Sequence, residues 1–190
     1  MRDLFQFRCD LLMSGAKKVE ICNMGLAPDI VETCARARAD LRMGVPIVVT
    51  GPVSVLAVAV ETLSSQRLEA VRALGAAPVL ALTGWRARTL KARAYDGDVA
   101  RIAVPDSVGL DWLQALADPS DDLATPMKGP LNSVRDGDAA PHRAALQLCK
   151  SARLLPAALC AEVDDGVGFA AQNGLTAVPL ALAAPLLRDN

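Results

Sequence analysis

IVVTGPVSVLAVAVETL, residues 47–63, is a largely apolar segment with a turn signal near its start. VPIVVT predicts a buried strand, because it is apolar and rich in β-branched side chains. Thr-Gly-Pro predicts a turn, and we interpret the following VSVLAVAVETL as a buried helix. A strand, turn and helix in this order often form the floor of an active site. Between Asp40 and Glu61, however, there is no Asp, Glu, His or Cys, so this turn has no side chain that binds a metal ion or accepts a proton.

The composition limits the classes of protein that are possible. Of the 190 residues, 52% are hydrophobic, which is enough for one globular domain to bury a core of its own. The 20 basic and 21 acidic residues leave a formal net charge of −1, so the whole chain has no general attraction for nucleic acid or an anionic membrane. The longest apolar run is shorter than the roughly 20 residues that span a bilayer. We therefore expect a soluble protein with no nucleic-acid partner and no membrane partner.

Five cysteines are present, without a CxxC pair and without a histidine at metal-ligand spacing. They are Cys9, Cys22, Cys34, Cys149 and Cys160. An odd number in this arrangement indicates reduced thiols that behave as small buried hydrophobic residues. The N-terminal sequence MRDLFQFRCDLLMSGAKK mixes charged with apolar residues and lacks the uninterrupted apolar run of a secretory signal. The sequence therefore predicts a cytoplasmic protein.

Residues 1–27 differ in composition from the rest of the chain, with two of the three Phe and three of the five Met. We interpret them as an N-terminal extension. Leu4, Phe7 and Leu11 follow a helical period and could dock on the domain or on a partner, and the alternative is a loosely ordered terminus. Residues 28–190 are then expected to form a single domain.

From residue 28 onward, helix and strand signals alternate. Helices are predicted at 30–43, 64–75, 84–95, 142–155 and 169–174, and strands at 45–50, 78–83, 99–105 and 157–163. Asp29 is placed to cap the first helix and Gly44 to end it. Residues 116–141, rich in Pro, Gly and Asp, predict a long surface loop of a kind that is often functional. The alternation predicts an α/β fold of the α+β variant, a three-layer domain whose mixed central sheet has helices on both faces.

Six segments between about residues 28 and 187 carry a family resemblance, and in chain order they are VETCARARADLRMGVPIVV, AVETL, PVLALTGWRARTLKAR, LADP, AALQLCKSARLLPAALCAEVDDG and FAAQNGLTAVPLA. Their order resembles that of 3,4-dihydroxy-2-butanone 4-phosphate synthase. That family makes the four-carbon precursor of riboflavin from ribulose 5-phosphate. The chain looks closer still to the degenerate synthase-like N-terminal domain that some bacterial GTP cyclohydrolase II proteins carry ahead of their cyclohydrolase domain.

The resemblance also shows where the chain departs from the family. The family has an acidic loop after its first strand, a run like D-E-x-R-E-N-E-G-D, whose carboxylates hold magnesium and abstract a proton next to a carbonyl. By the resemblance this loop belongs between Val49 and Ala57, where the chain has TGPVSVL. The family's Ser/Thr-rich segment, with an arginine that contacts substrate, has no counterpart in VPDSVGLDWLQALADP. The sequence thus predicts that a short turn has replaced the catalytic loop.

Two side chains remain at positions that resemble the family's site. The family's R-x-G-H-T-E-A, whose histidine completes the metal site, corresponds to AAPHRAA at residues 139–145. His142 is one residue nearer the helix than the family's histidine, and Arg143 replaces the glutamate. Glu162, in AEVDDG, stands where the family keeps a catalytic glutamate. We regard both as vestigial candidates, with Glu162 expected to be a solvated carboxylate at a strand end and His142 a surface or capping residue.

One retained acid does not enolise a sugar phosphate, because the step needs a base, a metal and a phosphate clamp together. The favoured function is therefore a catalytically degenerate synthase-like domain, associated with riboflavin biosynthesis, that acts as a binding or assembly module without metal or cofactor. One alternative is an active magnesium-dependent lyase that converts ribulose 5-phosphate to 3,4-dihydroxy-2-butanone 4-phosphate and formate, with His142 and Asp136 or Asp138 as substitute ligands. The other alternative is the N-terminal module of a GTP cyclohydrolase II system.

The resemblance implies two partners, a second copy of the chain and a GTP cyclohydrolase II domain or chain. A homodimer is expected because the family's active site is shared between two subunits. Nothing in the sequence resembles the Cys-rich zinc motif or the GTP-binding segments of cyclohydrolase II, so that activity is not expected of this chain.

A basic cluster in the predicted helix 84–95 is one further candidate, for an anion site. Its members are Arg86, Arg88, Lys91 and Arg93. They fall on several faces of the predicted helix, so the preferred interpretation is a solvated basic helix.

Overall fold

A six-stranded sheet forms the centre of the molecule in a computed structural model that describes residues 27–120, 122–123 and 128–188. Its strands are β1 (Ile47–Thr50), β2 (Ser54–Ala59), β3 (Val79–Thr83), β4 (Val99–Ala103), β5 (Ala157–Val163) and β6 (Thr176–Pro179). Their order across the sheet is β4-β3-β5-β2-β1-β6. The pair of β1 and β6 is parallel and the other neighbouring pairs are antiparallel. The predicted mixed sheet is confirmed.

Helices cover both faces of this sheet. The described residues form the α-helices α1 (Ile30–Arg42), α2 (Ser65–Arg72), α3 (Gly84–Thr89), α4 (Leu110–Ala117), α5 (Ala140–Ser151), α6 (Gly166–Asn173) and α7 (Leu180–Arg188), and one 3-10 helix (Val60–Thr62). One apolar cluster joins α1, α5 and α7 to one face, and a second joins α2, α3, α4 and α6 to the other. The predicted three-layer α/β architecture is therefore confirmed.

Residues 47–63 contain a β-hairpin, and the prediction of a buried helix after the turn is wrong. β1 and β2 pair antiparallel, with Val49 opposite Val55. Along β2, Ala57 lies in one apolar cluster and Val58 in the other, which is the two-residue alternation of a strand. A segment that is apolar at every position lacks the periodicity that separates a buried helix from a strand covered on both faces. The helical part is limited to the short 3-10 turn Val60–Thr62.

Helix α1 begins and ends where its sequence predicts. Asp29 accepts a 2.7 Å hydrogen bond from the backbone nitrogen of Glu32, and the Glu32 carboxylate accepts one of 2.9 Å from the backbone nitrogen of Asp29. This reciprocal capping box satisfies two amide donors of the first turn. Gly44 follows the helix with φ +69°, a left-handed conformation that costs glycine no Cβ clash.

The basic helix predicted over residues 84–95 is shorter than expected. It ends at Thr89, and Lys91 has φ +57°, outside the helical region. The predicted loop at 116–141 begins later, because α4 continues to Ala117. Within this loop Ser133 forms an isolated antiparallel bridge with Ile102 of β4. Part of the loop therefore lies along the edge strand of the sheet.

The predicted extension, residues 1–27, lies outside the described residues apart from Ala27, as do Cys9 and Cys22. The remaining cysteines, Cys34, Cys149 and Cys160, are buried free thiols. Burial raises the pKa of Cys149 to about 12, and it raises the pKa of Cys160 further. They are therefore protonated packing residues. In the part of the chain that the structure describes, no helix is both long and apolar enough to cross a membrane.

Candidate functional site

Two turns at one end of the sheet border an open cleft of about 630 Å³. The β1–β2 hairpin contributes residues 50–54, and the junction of β5 and α6 contributes residues 162–167. The turns are neighbours because β2 starts where β5 ends, with Ser54 paired to Val163. The cleft is formed by TGPVS of the hairpin, the segment where the resemblance places the family's acidic loop.

Carboxylates dominate the polar lining of this cleft. Glu162, Asp164 and Asp165 are exposed along one wall, and no Lys, Arg or His is among the described residues that line it. Asp165 also caps α6, because its carboxylate accepts a 3.2 Å hydrogen bond from the backbone nitrogen of Gly168. With no cation to balance these charges, the cleft disfavours an anionic ligand.

Gly166 sets the distance between the two walls at their base. A Cβ built on this residue would lie 2.5 Å from both Cβ and Oγ of Ser54. Glycine therefore allows the start of α6 to pack directly against the start of β2. This contact fixes the position of the α6 N-terminus beside the hairpin.

Glu162 lies at the cleft, as the sixth residue of β5 and opposite Val55. It is exposed, as expected for a solvated carboxylate at a strand end. In the described structure no hydrogen bond or ion pair is formed by its side chain. Its identification as a vestigial catalytic residue stays a prediction.

His142 is buried, and the expectation of a surface or capping residue is wrong. It is 4% exposed in the first turn of α5, and its Nδ1 has no hydrogen-bond partner among the described residues. Burial lowers the pKa of His142, and the nearby charge of Arg101 lowers it further. The guanidinium of Arg101 binds the carbonyls of Asp136 at 2.8 Å and Gly137 at 3.2 Å, which holds the segment before α5 against β4. This tertiary contact, which the local sequence does not predict, places the charge of Arg101 near the buried histidine.

The structure does not gather the candidate residues into one cleft. The residues that line the cleft of Glu162 do not include His142. Arg143, its neighbour, binds Asp98 with two hydrogen bonds of 2.6 and 2.7 Å, and Asp98 precedes β4 at the other end of the sheet.

The two aspartates proposed as substitute ligands lie before α5 rather than at the cleft. The Asp138 carboxylate accepts a 2.8 Å hydrogen bond from the backbone nitrogen of Ala140. Asp136 supplies its carbonyl to Arg101. Neither residue lines the cleft.

Arg86 is not part of a solvated helix, and that expectation is wrong for this member of the basic cluster. It is 8% exposed, and its Nε donates to the carbonyl of Leu116 at 2.7 Å. Its two terminal nitrogens reach Asp122 at 2.5 and 2.8 Å. Hydrogen bonds from Arg86 and then Lys128 hold the pKa of Asp122 well below its usual range. Arg86 thus caps the C-terminal end of α4. The other members of the basic cluster, Arg88, Lys91 and Arg93, are exposed.

Arg101 is a second buried cation that sequence reasoning missed. It is 3% exposed and forms an ion pair with Asp96 at 2.9 Å. The available signal was one arginine inside the otherwise apolar strand VARIAV, since a charge in a buried strand must be paired. Both arginines support structure and lie outside the residues that line the cleft.

No protein-family model matches the chain. Among curated proteins, a GTP cyclohydrolase-2 of Azospirillum brasilense is 36% identical over 144 residues. The match covers 72% of this chain and 36% of that protein, so the chain spans little more than a third of the length of this relative.

Solved structures share the fold of the chain. A two-domain 3,4-dihydroxy-2-butanone 4-phosphate synthase from A. baumannii has a TM-score of 0.57 at 16% identity, covering 78% of this chain and 55% of that one. A cation-free form of a 3,4-dihydroxy-2-butanone 4-phosphate synthase has a TM-score of 0.59 at 15% identity, covering 82% and 97%. The synthase of Candida albicans has a TM-score of 0.55 at 15% identity, covering 80% and 96%. The chain therefore has the 3,4-dihydroxy-2-butanone 4-phosphate synthase fold, and the predicted resemblance is confirmed.

Proposed function

We propose that this chain, with its synthase fold, is a catalytically degenerate synthase-like domain of riboflavin biosynthesis that acts as a binding or assembly module. The hairpin turn at residues 50–54 is the observation that supports this most directly. It occupies the place of the family's acidic loop, and its side chains carry no group that titrates near neutral pH. The general base and the metal ligands that this loop supplies in the family are therefore missing from this position.

The charge of the cleft also opposes binding of a sugar phosphate. A phosphate monoester carries a charge of about −1.5 to −2 at neutral pH. The cleft presents Glu162, Asp164 and Asp165 and no positively charged side chain among its described lining residues. Like charges at short range raise the free energy of the complex, so ribulose 5-phosphate is a poor ligand for this cleft.

Magnesium, which the fold family implies, does not fit the residues present. Within the described part of the chain, no group of three or more His, Cys, Asp and Glu side chains is arranged to hold a metal ion. Asp165 is engaged with the backbone of α6. We therefore derive no step through a metal in this cleft. Forming an enediolate from a ketose needs a positioned base and a stabilised oxyanion, and in the family the acidic loop supplies the base and the metal ligands for this step.

The relationship to a GTP cyclohydrolase-2 supports a second, compatible role. The chain matches a little over a third of that protein's length. The fold of the chain itself is that of a synthase. We infer that the domain is the N-terminal module of a GTP cyclohydrolase II system, joined to or associated with the cyclohydrolase part. Its folded surfaces then serve assembly, a role for which the acidic loop is not needed.

The proposal is tested by incubating purified protein with ribulose 5-phosphate and magnesium and measuring formate. We expect no formate above a blank without protein, while an active synthase assayed in parallel releases it. Glu162→Gln is expected to leave the circular dichroism spectrum and the native mass unchanged, because the carboxylate is exposed and unpaired within the described structure.

The proposal would be contradicted if the wild-type protein produced formate steadily and Glu162→Gln abolished that production. It would establish the active lyase as the function instead, with ligands recruited from outside the cleft.

A further inference from the structure

We propose that the connection between β3 and β4, residues 84–98, is a docking surface for an acidic protein segment. This connection, the β3–β4 projection, contains α3 and extends beyond the last paired residues of the two strands, Thr83 and Val99. Its ends are joined by a 2.6 Å hydrogen bond from the backbone nitrogen of Gly84 to the carbonyl of Asp98. A Cβ on Gly84 would lie 2.4 Å from the carbonyl oxygen of Gly97, so only glycine permits this closure. The projection is consequently compact.

Two aromatic rings are exposed on the projection. Trp85 is 75% exposed and Tyr95 is 48% exposed, in a chain that has only six Phe, Tyr and Trp residues in all. The guanidinium of Arg88 lies over the ring of Trp85, 4.7 Å from its centroid, and that of Arg135 lies 5.9 Å from the centroid of Tyr95. These cation–π contacts restrain the side chains before any partner binds, which lowers the entropic cost of binding.

Within the described part of the chain, the cations of this surface have no acidic partner. Arg88, Lys91, Arg93 and Arg135 are exposed, and none of the four forms an ion pair with another described residue. Both acids of the projection are engaged, since Asp96 binds Arg101 and Asp98 binds Arg143, whereas the exposed Asp136 follows Arg135 without an ion pair to another described residue. The projection itself therefore carries an excess of exposed positive charge together with two exposed aromatic rings, on a chain whose net charge is −1.

The composition of the surface favours a protein partner. Trp, Tyr and Arg are the residues most enriched where protein interfaces concentrate their binding energy. Four unpaired cations select a partner that carries carboxylates. A nucleic acid fits less well, because it needs a continuous cationic path for its phosphates, and the described part of this surface offers only four exposed cations.

The projection lies far from the cleft described above. Leu82, next to its start, is paired with Ala157, the first residue of β5, whereas Glu162 is the sixth. The two sites therefore occupy opposite ends of the sheet.

Fluorescence anisotropy with a short labelled peptide of glutamates and interspersed leucines tests the proposal. The matched probe has glutamine in place of every glutamate. We expect the acidic peptide to bind, with an affinity that falls as salt increases, and the glutamine peptide not to bind. Trp85→Ala and the double variant Arg88→Glu/Lys91→Glu should each weaken binding roughly tenfold or more. The control Arg36→Glu/Lys150→Glu makes the same change in net charge at exposed cations outside the projection and should leave binding intact.

Each remaining outcome overturns the proposal. The proposal is wrong if the acidic peptide fails to bind, if the two peptides bind equally, or if the control variant weakens binding as much as the projection variant. Tighter binding of a single-stranded oligodeoxythymidine probe would identify the partner as nucleic acid. A loss of native mass in light scattering of Arg88→Glu/Lys91→Glu would show that the surface contacts a second copy of this chain.

Discussion

Individual buried charges in this protein are satisfied mainly by backbone carbonyls. Arg86 binds the carbonyls of Ala115, Leu116 and Asp118, three acceptors that the C-terminal end of α4 leaves without intrahelical partners. Arg101 does the same for the segment before α5. Each arginine thus fixes a stretch of irregular chain to the sheet or to a helix end. Removal of Arg86 leaves the carbonyls of Leu116 and Asp118 without this donor, whereas Lys128 still binds the carboxylate of Asp122 and the carbonyl of Ala115.

Arg86→Ala is therefore expected to lower the free energy of unfolding by about 1–3 kcal/mol, the usual cost of leaving buried acceptors without their donor. Urea denaturation followed by circular dichroism measures the change. Arg88→Ala is the control, because Arg88 is exposed on the same helix, and its effect should stay within about 0.5 kcal/mol. Equal effects of the two substitutions would contradict the structural role assigned to Arg86.

His142 predicts a pH dependence of stability. Its folded-state pKa lies below the ordinary value of 6.5, so the unfolded chain binds the proton more readily than the folded one. Its contribution to stability is complete above pH 6.5 and is lost as the pH falls from there towards the folded-state pKa. His142 is the one histidine of the chain, so no other imidazole titrates in this window.

The measurement compares wild type with His142→Gln in urea titrations between about pH 7 and pH 5. Wild type should lose stability with a slope of up to about 1.4 kcal/mol per pH unit, and the glutamine variant should lose clearly less. The carboxylates of the chain are the same in both proteins, so their contribution cancels in the comparison. Identical slopes for the two proteins would contradict the burial of His142.

At the scale of elements, the β1–β2 hairpin is the feature on which the proposed loss of catalysis depends. It carries β2 into the middle of the sheet, between β1 and β5, and places only Gly-Pro-Val at its turn. Helix α6 then packs on the start of β2 through Gly166. The geometry of the cleft therefore depends on the close approach of two backbones rather than on ligand-binding side chains.

Gly166→Ala is expected to destabilise the protein by roughly 1–3 kcal/mol, because the new Cβ overlaps the Ser54 side chain and forces α6 away from β2. Thermal or urea unfolding measures this. Gly51→Ala, in the same cleft, is the control, since its Cβ would meet only ordinary contacts of 3.4 Å and longer.

A second variant identifies the cause of the Gly166→Ala effect. The double variant Gly166→Ala/Ser54→Gly removes the atoms that clash and should lose less stability than the sum of its two single changes. Strict additivity would show that contact with Ser54 is not what makes glycine necessary at this position.

At the scale of the whole molecule, the cleft and the β3–β4 projection lie at opposite ends of the sheet and differ in the charge of their exposed side chains. The cleft end carries Glu162, Asp164 and Asp165, and the projection end carries the unpaired cations of the β3–β4 projection. Both groups of charged residues are exposed, and neither contributes to the two apolar clusters that hold the fold together. The proposed roles in assembly can therefore change through surface substitutions without loss of the fold.

The homodimer implied by the family resemblance is tested by light scattering at micromolar concentration. We expect a native mass of twice that of one chain, because burial of apolar surface between copies does not need the acidic loop. The mass of a single chain would contradict the homodimer while leaving the predictions for lyase activity and peptide binding intact.

The α/β class, the capped helix α1 and the missing acidic loop all follow from the amino-acid sequence, because capping, turn residues and the identity of ionisable groups are local properties. The structure alone distinguishes the strand β2 from a buried helix, since an apolar run buries the same side chains in either form and its neighbours β1 and β5 select the strand. It alone reveals that His142 and Arg86 are buried. Arg86 binds a carbonyl and a carboxylate that lie 30 and 36 residues away along the chain. Arg101, whose charge lies near His142, binds a carbonyl 35 residues away. No local pattern encodes contacts of that range.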